Sequence, residues 1–254
     1  PALYSALMAR ALGCEVTLIT SLEPEFPAGL LDGIDLRAAP GSVARYENRY
    51  DARGNRTQRL LAPGSDLQLV PHLAPGETFD LVFYAPAYHE FRKAPLRFRG
   101  AVVGVSLQGA LRSVDPEGRV IPNPRPLEAA RALVRPGWCA FLSEEDTAAP
   151  EALAAALAAE KTLVVLTRGY NGATLFELDG SSHSYPAVPA EATEPTGAGD
   201  CFAMAFMVRL AETDAVDQAM RFALAAGALA VEAPGLAGIA SRAAIEERMT
   251  REAA

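Results

Sequence analysis

The sequence predicts an α/β fold, with a doubly wound, mostly parallel sheet flanked by helices and a small β flap standing apart from it. Three observations predict this. Leu81-Val-Phe-Tyr-Ala85 and Ala101-Val-Val-Gly-Val-Ser-Leu107 are nearly continuous apolar runs, the pattern of strands covered on both faces. From Pro126 to Thr167, helical and strand patterns alternate in the rhythm of βαβ units. Residues 44–61 break that rhythm and read as two strands around a glycine-bearing turn, Asp51 to Asn55.

In chain order, residues 2–12 read as an amphipathic helix with Gly13 as its C-cap, and Glu15 to Thr20 as the strand that follows. The flap at 44–61 carries Tyr46, Asn48, Tyr50, Arg56 and Gln58, groups suited to polar ligands, while Arg45, Arg49, Arg53 and Arg59 read as solvated faces. After the strands at 81–85 and 101–107 come a helix from Pro126 to Val134, a strand from Trp138 to Leu142, a helix from Pro150 to Glu160 and a strand from Thr162 to Thr167. Ala173 to Leu178 and Ser182 to Val188, joined through Asp179-Gly180, form a hairpin expected at the sheet edge. Three helices close the chain: Ala198 to Ala211, Ala215 to Ala233 and Ser241 to Arg251. All of this reads as one domain, 1–254. Because the chain opens on Pro1 and goes directly into a helix, a preceding strand is expected to be missing from it.

Composition narrows the function. The chain has 254 residues, 50% hydrophobic and 21% charged, enough to bury a sizeable core. Its longest apolar stretch, Phe222 to Val231, is too short to span a bilayer. With 23 basic against 31 acidic residues, a net charge of -8, and no basic stripe, nucleic acid is a poor partner. Cys14, Cys139 and Cys201 form neither a CxxC pair nor an even set, which fits a reducing cytoplasm. His72, His89 and His183 lie at no metal-ligand spacing, so any metal must be held by carboxylates and phosphates.

The most informative stretch is Glu194-Pro-Thr-Gly-Ala-Gly-Asp200, which runs directly into the apolar helix Cys201 to Leu210. Glycines let the backbone approach a ligand closely, and the free N–H groups and positive dipole end of the helix attract anionic oxygens. Asp200, in the first helical turn, stands where it can accept the proton of an attacking hydroxyl. The plainer reading is an N-cap at Thr196 with Asp200 favourable to the dipole.

Thr196-Gly-Ala-Gly-Asp200 resembles the C-terminal signature of the ribokinase/PfkB family of carbohydrate and nucleoside kinases. Leu163-Val-Val-Leu-Thr-Arg-Gly169 with Gly172-Ala-Thr-Leu-Phe176 resembles that family's strand, Thr-x-Gly turn and next strand. Phe222 to Val231 with Gly235 resembles the helix and loop that close over adenine, and the helix ending at Gly13 resembles the segment after the family's Gly-Gly pair. The resemblance implies a ribokinase-like fold and ATP-dependent phosphoryl transfer to a hydroxyl of a small sugar, inositol-like polyol or nucleoside. It implies Asp200 as general base, Gly197, Ala198 and Gly199 as anion hole, and Thr167, Gly169, Gly172, Ala226 and Gly235 at the nucleotide. ATP and Mg²⁺ are the implied cofactors, with K⁺ as a third, and a homodimer through the flap is the implied assembly.

Several positions depart from the family pattern. Glu194 stands where an Asp is usual, at a monovalent-cation position shared with Thr196. Ser143-Glu-Glu-Asp146 replaces Asn-x-x-Glu, leaving Asp146 and Glu145 to hold Mg²⁺ through water. Gln108 replaces an Asn beside Arg112; with Asn48 these are the substrate candidates, at a sheet edge where open α/β folds place ligands. His89 reads as a satisfied structural group. Two other function classes remain beside the kinase. One is an impaired homologue that binds nucleotide or sugar as a regulator; the other is a dinucleotide-dependent oxidoreductase, for which the sequence has no early GxGxxG.

Overall fold

A computed structural model of the protein describes residues 1–50, 56–91 and 96–252. The chain begins with α1 (Ala2–Ala11), β1 (Val16–Thr20), β2 (Ile34–Ala38), β3 (Arg45–Tyr50) and β4 (Arg56–Ala62). It continues with β5 (Leu81–Tyr84), β6 (Val102–Ser106), α2 (Gln108–Leu111), β7 (Arg112–Val114), β8 (Val120–Pro122) and α3 (Pro126–Leu133). Then follow β9 (Cys139–Ser143), α4 (Pro150–Ala159), β10 (Leu163–Thr167), β11 (Ala173–Phe176) and β12 (Ser182–Tyr185). The helices α5 (Ala198–Thr213), α6 (Val216–Val231) and α7 (Arg242–Glu252) finish the chain.

The central sheet has six strands in the order β12-β11-β10-β9-β6-β5. β5, β6, β9 and β10 are parallel, and β11 and β12 add an antiparallel hairpin at the edge, as their sequence predicts. Period-two alternation sends side chains into two apolar layers. Ala140, Leu142, Val164 and Leu166 meet α3 and α4 through Leu133, Leu153 and Leu157 on one face. Phe141 and Val165 meet Phe206, Met207 and Met220 of α5 and α6 on the other. A strand buried on both faces has no polar position, which is why these segments read as unbroken apolar runs. α5 is itself enclosed: Cys201 through Val208 are all buried, between the sheet, α6 and α1. The alanines of α6, among them Ala219, Ala223 and Ala226, let the two helices lie close.

Two features depart from the expected single sheet. β1 does not join it; it pairs in parallel with β2, a strand unassigned from sequence, as a separate two-stranded unit. Between β1 and β5 lies an apolar cleft of about 410 Å³, lined by Leu18, Leu31, Leu81, Phe83 and Phe98 among others. Arg37 of β2 is tied to the segment before β5 by a bidentate pair to Glu77 at 2.7 and 2.6 Å and a bond to His72 O at 2.8 Å. The second departure is β7–β8, a short hairpin in a stretch left unassigned from sequence.

The flap is present as the antiparallel pair β3–β4. Its turn, with Arg53, lies outside the described residues, as do the side chains of Tyr50 and Arg56. Among the described residues no helix is long and apolar enough to cross a membrane.

Candidate active site

Parallel strands deliver their C-terminal ends to one sheet edge, so the loops after β5, β6, β9 and β10 converge there. The glycine turn before α5 has the conformation its sequence requires. Gly197 caps α5 at φ 82° and ψ -6°, in the left-handed region. A Cβ at this position would sit 2.2 Å from the Tyr4 ring of α1, so the turn needs glycine for space as well as conformation. Over Gly199 the space is open, and the face of the turn that a ligand would approach is unobstructed. The Ala198 N–H closes the turn onto Pro195 O at 3.2 Å, which leaves the next first-turn amides as the donors to an anion.

Asp200 follows in that first turn, with 17% of its side chain exposed. Burial raises its pKa above the ordinary carboxylate value, and Arg112 pulls it back. Tyr4 faces the same group, and its phenol is raised by burial first and then by Glu194, Cys201 and Asp200. Asp200 is therefore a poorly solvated carboxylate within electrostatic reach of Arg112, an environment that suits a tuned base.

On the acceptor side, Arg112 opens β7 directly after α2, where Gln108 is half-buried. Asn48 and Gln58 pair with each other across β3–β4 at 2.9 Å, so that amide is engaged within the flap. Tyr46, a candidate for ligand hydroxyls, instead donates its hydroxyl to Ala87 O at 2.8 Å. His89 Nε2 lies 2.8 Å from Arg112 O, in agreement with its reading as a structural group.

On the opposite side, Thr167 ends β10 with its hydroxyl on Leu142 O at 3.3 Å, and Gly169 is exposed beyond it. Gly172 is buried, with Tyr185 O 2.1 Å from any added Cβ, and its place is to hold the β10–β11 turn against β12. Ala226 is 1% exposed inside the α1, α5 and α6 cluster, where it packs rather than lines an open surface. Gly235 donates its N–H to Glu194 Oε2 at 3.0 Å, clipping the loop after α6 to the glycine turn. Thr196 is exposed at the same turn.

After β9, Asp146 Oδ2 accepts the Ser143 N–H at 2.7 Å while Asp146 N–H returns to Ser143 O at 3.0 Å. Glu145 is exposed beside it. Among the described residues no three His, Cys, Asp or Glu side chains gather to hold a metal. That donor set does not suit a caged metal, but suits Mg²⁺, which keeps several waters and takes one or two carboxylates beside substrate phosphates.

Sequence reasoning missed the contacts that assemble these parts. Tyr4 beneath Gly197, Glu194 on Gly235 and Tyr46 over Arg112 join residues far apart in the chain, and no local signal announces them.

Comparison with known proteins places this geometry. Residues 132–242 match the model of the pfkB family carbohydrate kinases. A curated relative, the bifunctional protein HldE of Bradyrhizobium diazoefficiens, is 39% identical over 74 residues, which are 29% of this chain. That match spans only 15% of the relative's length. Ribokinase of Arabidopsis thaliana, solved with ribose and ATP, superposes with a TM-score of 0.69 at 17% identity, covering 97% of this chain and 86% of that one. A pyrophosphate-dependent kinase in the ribokinase family, complexed with a pyrophosphate analog and myo-inositol, gives 0.71 at 17% identity, covering 91% and 86%. Likeness at such identities speaks to the fold.

Proposed function

We propose that this chain, in which residues 132–242 match the pfkB family carbohydrate kinase model and whose fold is ribokinase-like, transfers the γ-phosphoryl of ATP to a hydroxyl of a small sugar, polyol or nucleoside. One observation carries the reading: a half-buried Asp200 stands directly behind a left-handed glycine turn, with open space above Gly199 and Arg112 within electrostatic reach.

Asp200 accepts the acceptor's proton as the hydroxyl attacks in line, and the N–H groups of Gly197 and Gly199 receive the charge of the transferring phosphoryl, the Ala198 N–H being engaged with Pro195 O. The donor's phosphates run toward that turn from the loop after β10, past Thr167 and Gly169. The acceptor lies on the Gln108 and Arg112 side, with β3–β4 as its flap. Mg²⁺ would be held through water by Asp146 and Glu145, and supplies charge neutralisation between the donor phosphates when bound. Glu194 and Thr196 are the side chains at hand for a monovalent cation. Most of the rate enhancement comes from positioning and fixed charge, because phosphoryl transfer asks little covalent chemistry of the protein.

The test is turnover with ATP and Mg²⁺ on a panel of inositols, hexoses, pentoses and nucleosides. Asp200→Asn is expected to lower kcat by about 10³-fold, the scale of general-base catalysis, with little change in nucleotide affinity. Nucleotide binding without turnover on any acceptor would overturn this reading and leave a regulatory homologue.

A further inference from the structure

Resting on the kinase reading above, we infer that Tyr46 is a positioning residue, which by stacking on the Arg112 guanidinium lets the β3–β4 flap set the direction of that cation in the site. The Arg112 Cζ lies 5.2 Å from the Tyr46 ring centroid, within cation–π range. Both side chains also meet at one acceptor. The Tyr46 hydroxyl donates to Ala87 O at 2.8 Å, and Arg112 Nη1 donates to the same oxygen at 3.3 Å. Burial pushes the Tyr46 hydroxyl up to about 12, so it remains a protonated donor across the working range.

The backbone of Arg112 is gripped independently. His89, in the left-handed region at φ 52°, brings Nε2 to 2.8 Å from Arg112 O. α2, which presents Arg112, is pressed onto the same loop: a Cβ at Gly109 would meet Pro86 O at 2.4 Å. The other strand of the flap reaches the residue by a second route. Leu60 N–H donates to Gly118 O at 3.0 Å, Arg59 Nη2 donates to Glu117 O at 2.9 Å, and Arg59 bridges to Arg119. Gly118 and Glu117 lie in the turn of the β7–β8 hairpin, and Arg112 is the first residue of β7. β3 thus holds the side chain while β4 holds the hairpin that carries its backbone.

This arrangement has a chemical consequence. An arginine on a loop samples many rotamers, and fixing it costs side-chain entropy. A ring on one face of the planar guanidinium fixes that plane, and its remaining N–H groups stay in a set direction for an anion. The charge of Arg112 is felt at Asp200, which Tyr4 and Cys201 also face. The flap's ring therefore fixes the direction in which the Arg112 guanidinium presents its charge. Acceptor engagement under the flap and charge stabilisation at the reacting phosphoryl become one event.

A double-mutant cycle tests this, read in kcat, in KM for ATP and in the affinity for inorganic tripolyphosphate. Tyr46→Leu and Arg112→Gln are each expected to lower kcat about tenfold and weaken tripolyphosphate about fivefold, with KM for ATP within about twofold. Tyr46→Phe, which keeps the ring and loses the hydroxyl, restores most of kcat. In the double variant the effects do not add, because Tyr46 acts only through Arg112. Additive losses, or an unchanged kcat in Tyr46→Leu, would overturn the inference. Absence of turnover in the wild type would sink the kinase reading instead, and the same cycle read on tripolyphosphate then decides the inference alone. Failure of the wild type to bind tripolyphosphate refutes it.

Discussion

The burial of Asp200 has a cost in stability. Its pKa is raised by burial, so the native state binds the proton more tightly than the unfolded chain does. Stability then falls as pH climbs through the unfolded value, about 3.9, toward the raised native value, and the ionised carboxylate is a net cost at neutral pH. Asp200→Asn removes that charge. The variant is expected to melt at a higher temperature than the wild type at pH 7, with the difference shrinking as pH falls and the wild-type carboxyl gains its proton. Thermal melts from pH 3 to pH 8 check this, and a variant less stable at every pH would contradict it. A residue whose removal stabilises the fold is kept for what it does.

At the scale of elements, α5 is the axis of the molecule: its first turn faces the site and its next two turns are core. Its start depends on α1, because Tyr4 occupies the space where a Gly197 side chain would go. Gly197→Ala is expected to cost about 2–4 kcal/mol, combining left-handed backbone strain with the clash against Tyr4. In a Tyr4→Ala background the cost should drop toward the backbone penalty alone, about 1 kcal/mol. Urea midpoints of the four proteins give the comparison, and equal costs in both backgrounds would show that Tyr4 yields freely. The elements were legible in sequence where a pattern repeats. β9, β10 and α4 to α7 were, since alternation or helical spacing runs through each. β2, β7 and β8 were not: β2 and β7 mix polar and apolar residues over five and three positions, and β8 is only Val-Ile-Pro, too short to show a period. Of the site, the glycine turn and Asp200 were legible because they are contiguous. The partners of Tyr46, Asn48 and Glu194 were not, because tertiary contact chose them.

Across the whole molecule, the β1–β2 pair and the six-stranded sheet are separate bodies joined by helices and by a few polar ties. The Arg37–Glu77 pair is the clearest tie, and the guanidinium with the Ala74 N–H holds the Glu77 carboxyl down to about 2. A depressed carboxylate pKa contributes stability that is present above the unfolded value, about 4.3, and lost as pH falls toward 2. Glu77→Gln is therefore expected to lower the melting temperature at pH 7 and to lower it much less at pH 2, where the native carboxyl is about half protonated. Melting curves at the two pH values read this directly, and an equal deficit at both would refute the electrostatic account.

The cleft between β1 and β5 has a practical corollary. Its walls are leucine and phenylalanine over about 410 Å³, a size and chemistry that accept an aromatic sulfonate dye of the kind that fluoresces in apolar surroundings. The fully folded protein should then light up such a dye before any heating, a signal usually taken as the mark of a molten globule. For residues 1–254, dye fluorescence at room temperature reports this groove, and unfolding has to be followed by an intrinsic signal instead.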